Sequence, residues 1–206
     1  MLATNSLVTL LLAWGIQILG ADVQPPSDRE IREMLQVDDQ IGGEQRTLIA
    51  FGEQLFPAYL RILAAKDVKP TEVTRIFSML TVVKADRSRF HEHAVDGLAH
   101  SRNGVRRSAV ALLAEIGGER DTAPIHALLS DGDFTVGVAA VKTIQAIGGP
   151  RDLAALNTWL AVSNDKRYTP EYRKQYEILR EYVTKSRDGL KERLDKEKEK
   201  TKKPKL

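Results

Sequence analysis

The chain has 206 residues, of which 42% are hydrophobic and only 6% aromatic, and its formal net charge is +3. This length and apolar fraction are enough for one medium-sized domain with a proper core. The chain has no cysteine, which excludes a disulfide framework, a thiolate metal site and a lipoprotein anchor. Runs of alternating β-branched residues are rare, so we expect an all-α fold with almost no sheet.

Residues 7–19 (LVTLLLAWGIQIL) form an uncharged apolar run that is too short to span a bilayer comfortably. The small residues Gly20 and Ala21 follow it, and then come Asp22 and two prolines. This order is typical of a secretory signal peptide comprising residues 1–21, although the preceding MLATNS has no Lys or Arg. We therefore expect an exported protein, periplasmic or extracellular, without a stable membrane span after cleavage. The alternatives are an uncleaved segment that anchors the protein in a membrane and a buried helix.

Residues 22–45 are predicted to form an N-terminal capping helix and a loop. Ser27 and Glu30 have the spacing of a capping box, in which each residue satisfies the other's backbone N–H. The helix that follows carries Ile31, Met34 and Leu35 on one face.

Residues 46–164 are predicted to form a solenoid of helical hairpins, beginning with two divergent units. In residues 47–65, Gly52 follows one apolar helix and Pro57 opens the next. Residues 71–101 form the other divergent unit. There Lys84-Ala85-Asp86 stands where the later units have two glycines, so we expect a longer or less regular turn.

The clearest repeat lies in residues 105–161. When residues 105–130 are compared with the residues 31 positions later, ten of the 26 pairs are identical. Chance at ordinary composition would give roughly two, and a fixed short period indicates a repeat array. The identities include Gly117-Gly118 with Gly148-Gly149.

Each of these two units is predicted to be a helical hairpin. Apolar residues in 105–116 recur at the spacing of a single helical stripe. Gly117 then stands where a left-handed residue would close the last carbonyl groups. Asp121 is expected to cap the second helix by accepting hydrogen bonds from the amides of its first turn.

The two units resemble the short HEAT-like repeats of the phycobilisome-lyase type. The resemblance implies an α-solenoid of about three to four hairpins, with the second helices on the concave side. Arg106 fills the basic position that the family usually has after Val, whereas the second unit has Gly137 there. The Arg-to-Asp ladder that such repeats form between units is therefore not continued.

Residues 165–206 are predicted to form an amphipathic helix and a basic tail, and they carry a net charge of +6. Thr169-Pro170-Glu171 is a good helix start. The apolar side of the helix, with Tyr172 and Tyr176, is expected to cover the last repeat with Trp159 beneath it. From Arg187 onward the sequence is almost wholly charged, and its end is predicted to be frayed or disordered.

Histidines are the main candidates for chemistry. His93, Asp96 and His100 would share a face of one predicted helix and would suit a divalent metal, although a solvated helix face explains them as well. We predict no catalytic residue, no cofactor site and no other metal ligands. The residues that we predict to contact a partner are Asp96, His126, Asn157 and Trp159.

The sequence leaves three hypotheses for function. The first is an exported, non-enzymatic scaffold or interaction module that binds another protein through the concave face of the repeats. The second, implied by the resemblance, is a lyase-type or chaperone-like subunit related to phycobilin lyases. The third is nucleic-acid binding through the basic tail, which we do not expect because Lys and Glu alternate there and no aromatic residues interleave with them.

Overall fold

The structure, a computed structural model, describes residues 24–37, 43–162 and 170–202. The predicted signal peptide, the predicted cap Thr169 and residues 203–206 lie outside the described residues. Within the described ranges all regular secondary structure is helical, so the all-α prediction is confirmed. The chain divides into two compact units, residues 1–90 and residues 91–206. The domain limits that the sequence suggests, 22–45, 46–164 and 165–206, stay predictions.

The helices of the first unit are α1 (Asp28–Met34), α2 (Gly43–Phe51), α3 (Phe56–Leu63) and α4 (Pro70–Leu80). Those of the second unit are α5 (His91–Gly97), α6 (Asn103–Ile116), α7 (Thr122–Ala127), α8 (Phe134–Ile147), α9 (Pro150–Val162) and α10 (Pro170–Lys202). Short 3₁₀ turns lie at Gly52–Leu55, Ser88–Phe90, Glu119–Asp121 and Leu128–Ser130.

The first unit contains the predicted capping box and the predicted degenerate hairpin. The Ser27 hydroxyl accepts a hydrogen bond from the Glu30 N–H, and the Glu30 carboxylate accepts one from the Ser27 N–H at 2.8 Å. Gly52 follows α2 in the left-handed conformation, with φ of 56°, and Pro57 lies in the first turn of α3. The connection from α4 to α5, residues 81–90, is the longer turn expected there.

The second unit is built around a row of three helices. Helix α6 packs against α8, and α8 packs against α10. The short second helix α7 packs against α8, and α9 packs in the same way against α10. Helix α10 therefore takes the place of the first helix of a further repeat. The tilted contact between Trp159 of α9 and Tyr176 of α10, with ring centroids 5.8 Å apart, confirms that this helix covers the last repeat.

A glycine lets α10 approach the repeat closely. A Cβ atom at Gly137 of α8 would lie 3.2 Å from the Leu179 side chain of α10, so any other residue at this position would require the Leu179 side chain to shift. At the equivalent position of the previous repeat stands Arg106, which points into a turn instead. The glycine in the second unit thus favours the close approach of α10.

The fraying or disorder predicted for the charged end of the chain is wrong for the residues up to Lys202, because α10 continues to that residue. Leu190 is fully buried and Leu194 is 8% exposed, so the apolar stripe extends two turns into the charged region. Ion pairs one helical turn apart, Lys196 with Glu192 at 2.6 Å and Arg193 with Glu197 at 3.1 Å, add support on the solvent side.

The two glycine corners end α6 and α8 in a way that the sequence did not predict. Gly117 and Gly148 have extended backbones with φ of −86° and −69°, so the expected left-handed closure is wrong. Each glycine N–H instead donates to the carbonyl group four residues earlier, at 2.8 Å. A Cβ atom at Gly117 would lie 2.6 Å from the Leu113 carbonyl oxygen, and one at Gly148 would approach the Ile144 carbonyl oxygen still more closely. Glycine is required here by close approach and not by a positive φ.

The substitution Gly117→Ala should lower the free energy of unfolding by about 1–3 kcal/mol, the usual cost of forcing an extra carbon into a packed site. The adjacent Gly118→Ala is the matched control, because a Cβ atom there meets nothing within 4 Å and should change stability by less than about 0.5 kcal/mol. Equilibrium urea denaturation of the two variants measures both values. Equal losses would contradict the close-approach explanation.

Candidate functional site

The carboxylates of Asp121 and Asp152 lie at the two glycine corners, and both are buried. In each, one oxygen accepts a hydrogen bond from the N–H of the second glycine, at 2.8 Å from Gly118 and 2.6 Å from Gly149. The first-turn amides of α7 do not donate to the Asp121 carboxylate as expected, because that carboxylate points back to Gly118. At each corner the first glycine N–H donates to the preceding helix and the second donates to the aspartate that follows, so hydrogen bonds fix the glycine pair on both sides.

The second oxygen of each corner carboxylate faces a histidine. His91 Nε2 lies 2.9 Å from Asp121 Oδ1, and His126 Nε2 lies 2.7 Å from Asp152 Oδ1. The first pair is aligned as a hydrogen bond, whereas the His126 ring is turned out of that alignment. His126, predicted to contact a partner, thus has its ring against a buried carboxylate of the next repeat.

The expected shared helix face of the three weak metal candidates, His93, Asp96 and His100, is wrong, because they do not all lie on one helix. Helix α5 ends at Gly97, and His100 lies beyond it, where its Nδ1 accepts a hydrogen bond from the Arg102 N–H at 3.0 Å. His93 and Asp96 remain on α5. Nowhere in the described part of the chain do three or more His, Asp or Glu side chains gather where they could hold a metal ion.

The other predicted partner-binding residues differ in accessibility. Asp96 and Asn157 are exposed. Trp159 is only 8% exposed, and its indole N–H donates to the Ser130 hydroxyl at 3.1 Å. Trp159 therefore organises neighbouring residues from beneath and does not present its ring to solvent. The roles of these residues in partner binding stay predictions.

A salt bridge of Arg106, the basic position that the resemblance marked without naming its partner, fixes the turn between α7 and α8. The guanidinium of Arg106 donates two hydrogen bonds of 2.7 Å to the Asp131 carboxylate, whose side chain is only 6% exposed. Arg106 also donates to the carbonyl oxygens of His100 and Ser101, at 2.8 and 3.0 Å. This paired geometry is the strong form of an Arg–carboxylate contact, and the Asp131 hydrogen bond raises the pKa of Arg106.

Two aspartates continue this network along the turn. Asp131 accepts a hydrogen bond from the Asp133 N–H at 2.8 Å. The Asp133 carboxylate in turn caps α8 through the Thr135 N–H at 2.8 Å and the Val136 N–H at 3.3 Å. The hydrogen bond from the Thr135 hydroxyl is the main reason why the pKa of Asp133 is lowered, and Asn103 adds to it. The turn is thus held in one conformation at both of its ends.

A cleft of about 250 Å³ lies between this turn and the first turns of α10. We call it the Tyr176 cleft. Its apolar and aromatic lining consists of Leu129, Phe134, Tyr172, Tyr176 and Leu179. Ser130, Asp131 and Gln175 supply its polar atoms. Tyr172 is 51% exposed, whereas Tyr176 is 3% exposed, so one aromatic ring remains accessible beside a buried one.

Sequence reasoning identifies Tyr172 and Tyr176 only as members of a covering helix. The other wall, residues 129–134, precedes them by some forty positions, and no local pattern links the two segments. The one sequence signal is the SDGD string of residues 130–133, which is typical of a tight turn. The cleft exists because α10 folds back beside that turn.

A second accessible surface lies on the second helices of the two repeats and on the short turn Glu119–Asp121 before the first of them. Its residues occur in pairs 31 positions apart and are exposed in both repeats: Arg120 and Arg151, Ala123 and Ala154, Ala127 and Thr158. We call this surface the second-helix face. Neither arginine forms an ion pair with a described residue. The face thus combines small side chains with two equivalently placed positive charges.

Hairpins that recur at a fixed interval, with their first helices in a row, define an α-helical repeat protein. Residues 92–169 match the family model of HEAT repeats, and the helical hairpins of this segment are of the HEAT type. The narrower resemblance to phycobilisome-lyase repeats stays a prediction. No curated protein and no solved structure matches the chain significantly. Among the described residues, no helix has the combined length and apolar character needed to cross a bilayer.

The substitution Arg106→Ala should lower the free energy of unfolding by about 3 kcal/mol, because it leaves the buried Asp131 carboxylate without its cation. Arg107→Ala is the matched control, since Arg107 is the exposed neighbour on the same helix and should change stability by less than about 0.5 kcal/mol. Thermal and urea unfolding measure the difference. If the two variants were equally stable, the turn would not depend on this salt bridge.

Proposed function

We propose that this chain is a non-enzymatic binding module that holds another protein through the second-helix face. HEAT repeats generally mediate protein–protein interaction or scaffolding, which supports a protein partner. The resemblance of the repeats also implies that the second helices line the concave side of the array. Partner binding on that side is the first of the three hypotheses drawn from the sequence.

The observation that carries this proposal is the matched exposure of the second-helix face. Equivalent positions of consecutive repeats repeat the same chemistry at a regular spacing, which suits an elongated partner segment. The exposed side chains between these positions are short, so a partner backbone can come close to the face; they are Ala123, Ala127 and Ala154. Arg120 and Arg151 supply positive charges at the same corner of each repeat, and arginine is enriched at protein interfaces.

The polar groups discussed above contact other groups of the second unit. This supports a non-enzymatic role, which is typical of HEAT repeats. The corner carboxylates of Asp121 and Asp152 are occupied by glycine N–H groups and stand against imidazole rings. Asp131 is occupied by Arg106. These groups stabilise the helical hairpins, and we assign them no chemical step.

The double substitution Arg120→Glu with Arg151→Glu should abolish partner recovery, because it reverses both charges of the second-helix face. Arg107→Glu is the matched control: it reverses an exposed arginine on the first helix α6 and should leave recovery unchanged. Cross-linking followed by affinity capture of the tagged full chain from its own cells measures the partner. Loss of recovery by about tenfold or more only in the double variant is the expected result. Equal recovery by all three proteins would reject the second-helix face as the binding surface.

We also propose that the protein is exported, which rests on the apolar run at residues 7–19 and the small residues after it. Residues 1–23 lie outside the described residues, so the argument is one of sequence. N-terminal sequencing of the protein purified from its native cells should give a mature chain that begins at or next to Asp22. A chain that retains residues 7–19 in a membrane fraction would favour the anchored alternative instead.

A further inference from the structure

We infer that Asn103 is a site of spontaneous deamidation, and that the carboxylate formed there weakens the turn that Asp133 holds. The reaction is a covalent modification that consumes water and needs no enzyme. It goes beyond the proposed function, because neither residue belongs to the second-helix face: Asn103 begins the first helix α6, and Asp133 precedes the first helix α8.

Asn103 has the neighbour and the geometry that the reaction requires. Its side chain is exposed, and Gly104 follows it. The Gly104 N–H donates to Asn103 Oδ1 at 2.8 Å, so the side-chain carbonyl group lies against the next backbone nitrogen. A nucleophile held beside its target reacts far faster than one that must first find it. Glycine also lets the backbone rotate into the conformation of ring closure, since it has no Cβ atom.

The chemistry is an intramolecular acyl transfer. The Gly104 nitrogen gives up its proton and attacks Asn103 Cγ, and the new C–N bond closes a succinimide ring. The Cγ–Nδ2 bond breaks, and the Nδ2 group takes up a proton and leaves as ammonia. Water then opens the ring at one of its two carbonyl carbons, which gives aspartate or isoaspartate. Both products carry a carboxylic acid in place of the amide, and this acid is ionised at neutral pH.

The backbone of α6 does not oppose the attack, because the first amides of a helix have no partner within it. Of the two asparagines in the described ranges, the other is Asn157, which is also exposed. It lies within α9 and precedes Thr158, a β-branched residue that is stiff and bulky. A nitrogen in a helix interior is bonded to the carbonyl group four residues earlier. Asn157 is therefore the slow internal reference for Asn103.

The amide that the reaction removes supports the turn before α8. Asn103 Nδ2 donates to the Asp133 carboxylate, and this carboxylate also accepts from the Thr135 and Val136 N–H groups at the start of α8. Hydrogen bonds from the Thr135 hydroxyl and then from Asn103 lower the pKa of Asp133, so Asp133 is ionised when the product forms. Deamidation thus exchanges a donor for a second negative charge beside the first, and like charges repel.

Two electrostatic effects oppose each other in the product. The dipole of α6 favours an acid in its first turn, which stabilises the new carboxylate slightly. A hydrogen bond to an ionised group contributes more than that to stability, and its loss is accompanied by the repulsion from Asp133. The deamidated protein should therefore be less stable than the original one.

The first measurement follows the reaction in the full chain. Purified protein is incubated in mildly alkaline buffer, and peptide mapping by mass spectrometry gives the deamidated fraction at each asparagine over time. Asn103 should react at least about tenfold faster than Asn157. The Gly104→Ala variant, which alanine's helix propensity favours, should slow the reaction at Asn103 by about tenfold or more and leave the rate at Asn157 unchanged.

The second measurement is thermal unfolding of variants that reproduce the product. Asn103→Asp should lower the unfolding midpoint by about 2–4 °C. Asn157→Asp is the matched control, since it makes the same exchange on an exposed residue of α9, and should shift the midpoint by less than about 1 °C. The double variant Asn103→Asp with Asp133→Asn moves the amide to the other side of the contact. It should recover most of the loss, because asparagine caps a helix as well as aspartate does.

The inference would be overturned by any of the following results. Equal rates at Asn103 and Asn157, or a Gly104→Ala variant that reacts as fast as the original chain, would show that this geometry does not direct the reaction. An Asn103→Asp protein with an unchanged midpoint would remove the consequence for the turn. A loss that the double variant does not recover would assign the effect to α6 and not to Asp133. These measurements involve no partner, so their failure is independent of the proposed function.

Discussion

Burial of α8 on two sides is the constraint on which the second unit depends. Helix α6 covers one side, where the Thr143 hydroxyl donates to the Val110 carbonyl oxygen at 3.1 Å. Helix α10 covers another side, where Gly137 admits the Leu179 side chain. A hairpin of two short helices cannot bury its apolar stripe alone, so each first helix needs a neighbour on both sides. Helix α10 is the second neighbour of α8. Its outer face is mostly charged, so the row of described helices ends there.

The same position in consecutive repeats serves two different purposes. In the first repeat Arg106 reaches the turn after α7 and fixes Asp131. In the second repeat Gly137 leaves the space that α10 needs. An arginine in both repeats would continue the ladder, but its Cβ atom would lie 3.2 Å from the Leu179 side chain of the terminal helix. The residue at this position therefore differs with the neighbour of each first helix, and the Tyr176 cleft lies where the fixed turn meets α10.

The second-helix face and the Tyr176 cleft both follow from these features. The second-helix face exists because the repeat places equivalent exposed residues side by side, with Arg120 and Arg151 at matching corners. The Tyr176 cleft exists because the array stops and a long cationic helix returns beside it.

The sequence by itself determined the helical repeat, its 31-residue period, the capping box at Ser27 and the helix that begins at Pro170, because each rests on local spacing. It placed glycines at the corners but predicted the wrong backbone conformation for them. Glycine is needed there because a Cβ atom would lie too close to a carbonyl oxygen. Only the tertiary structure paired Arg106 with Asp131 and turned His126 toward Asp152. These outcomes depend on contacts between residues that are far apart in the chain, and local spacing does not encode such contacts.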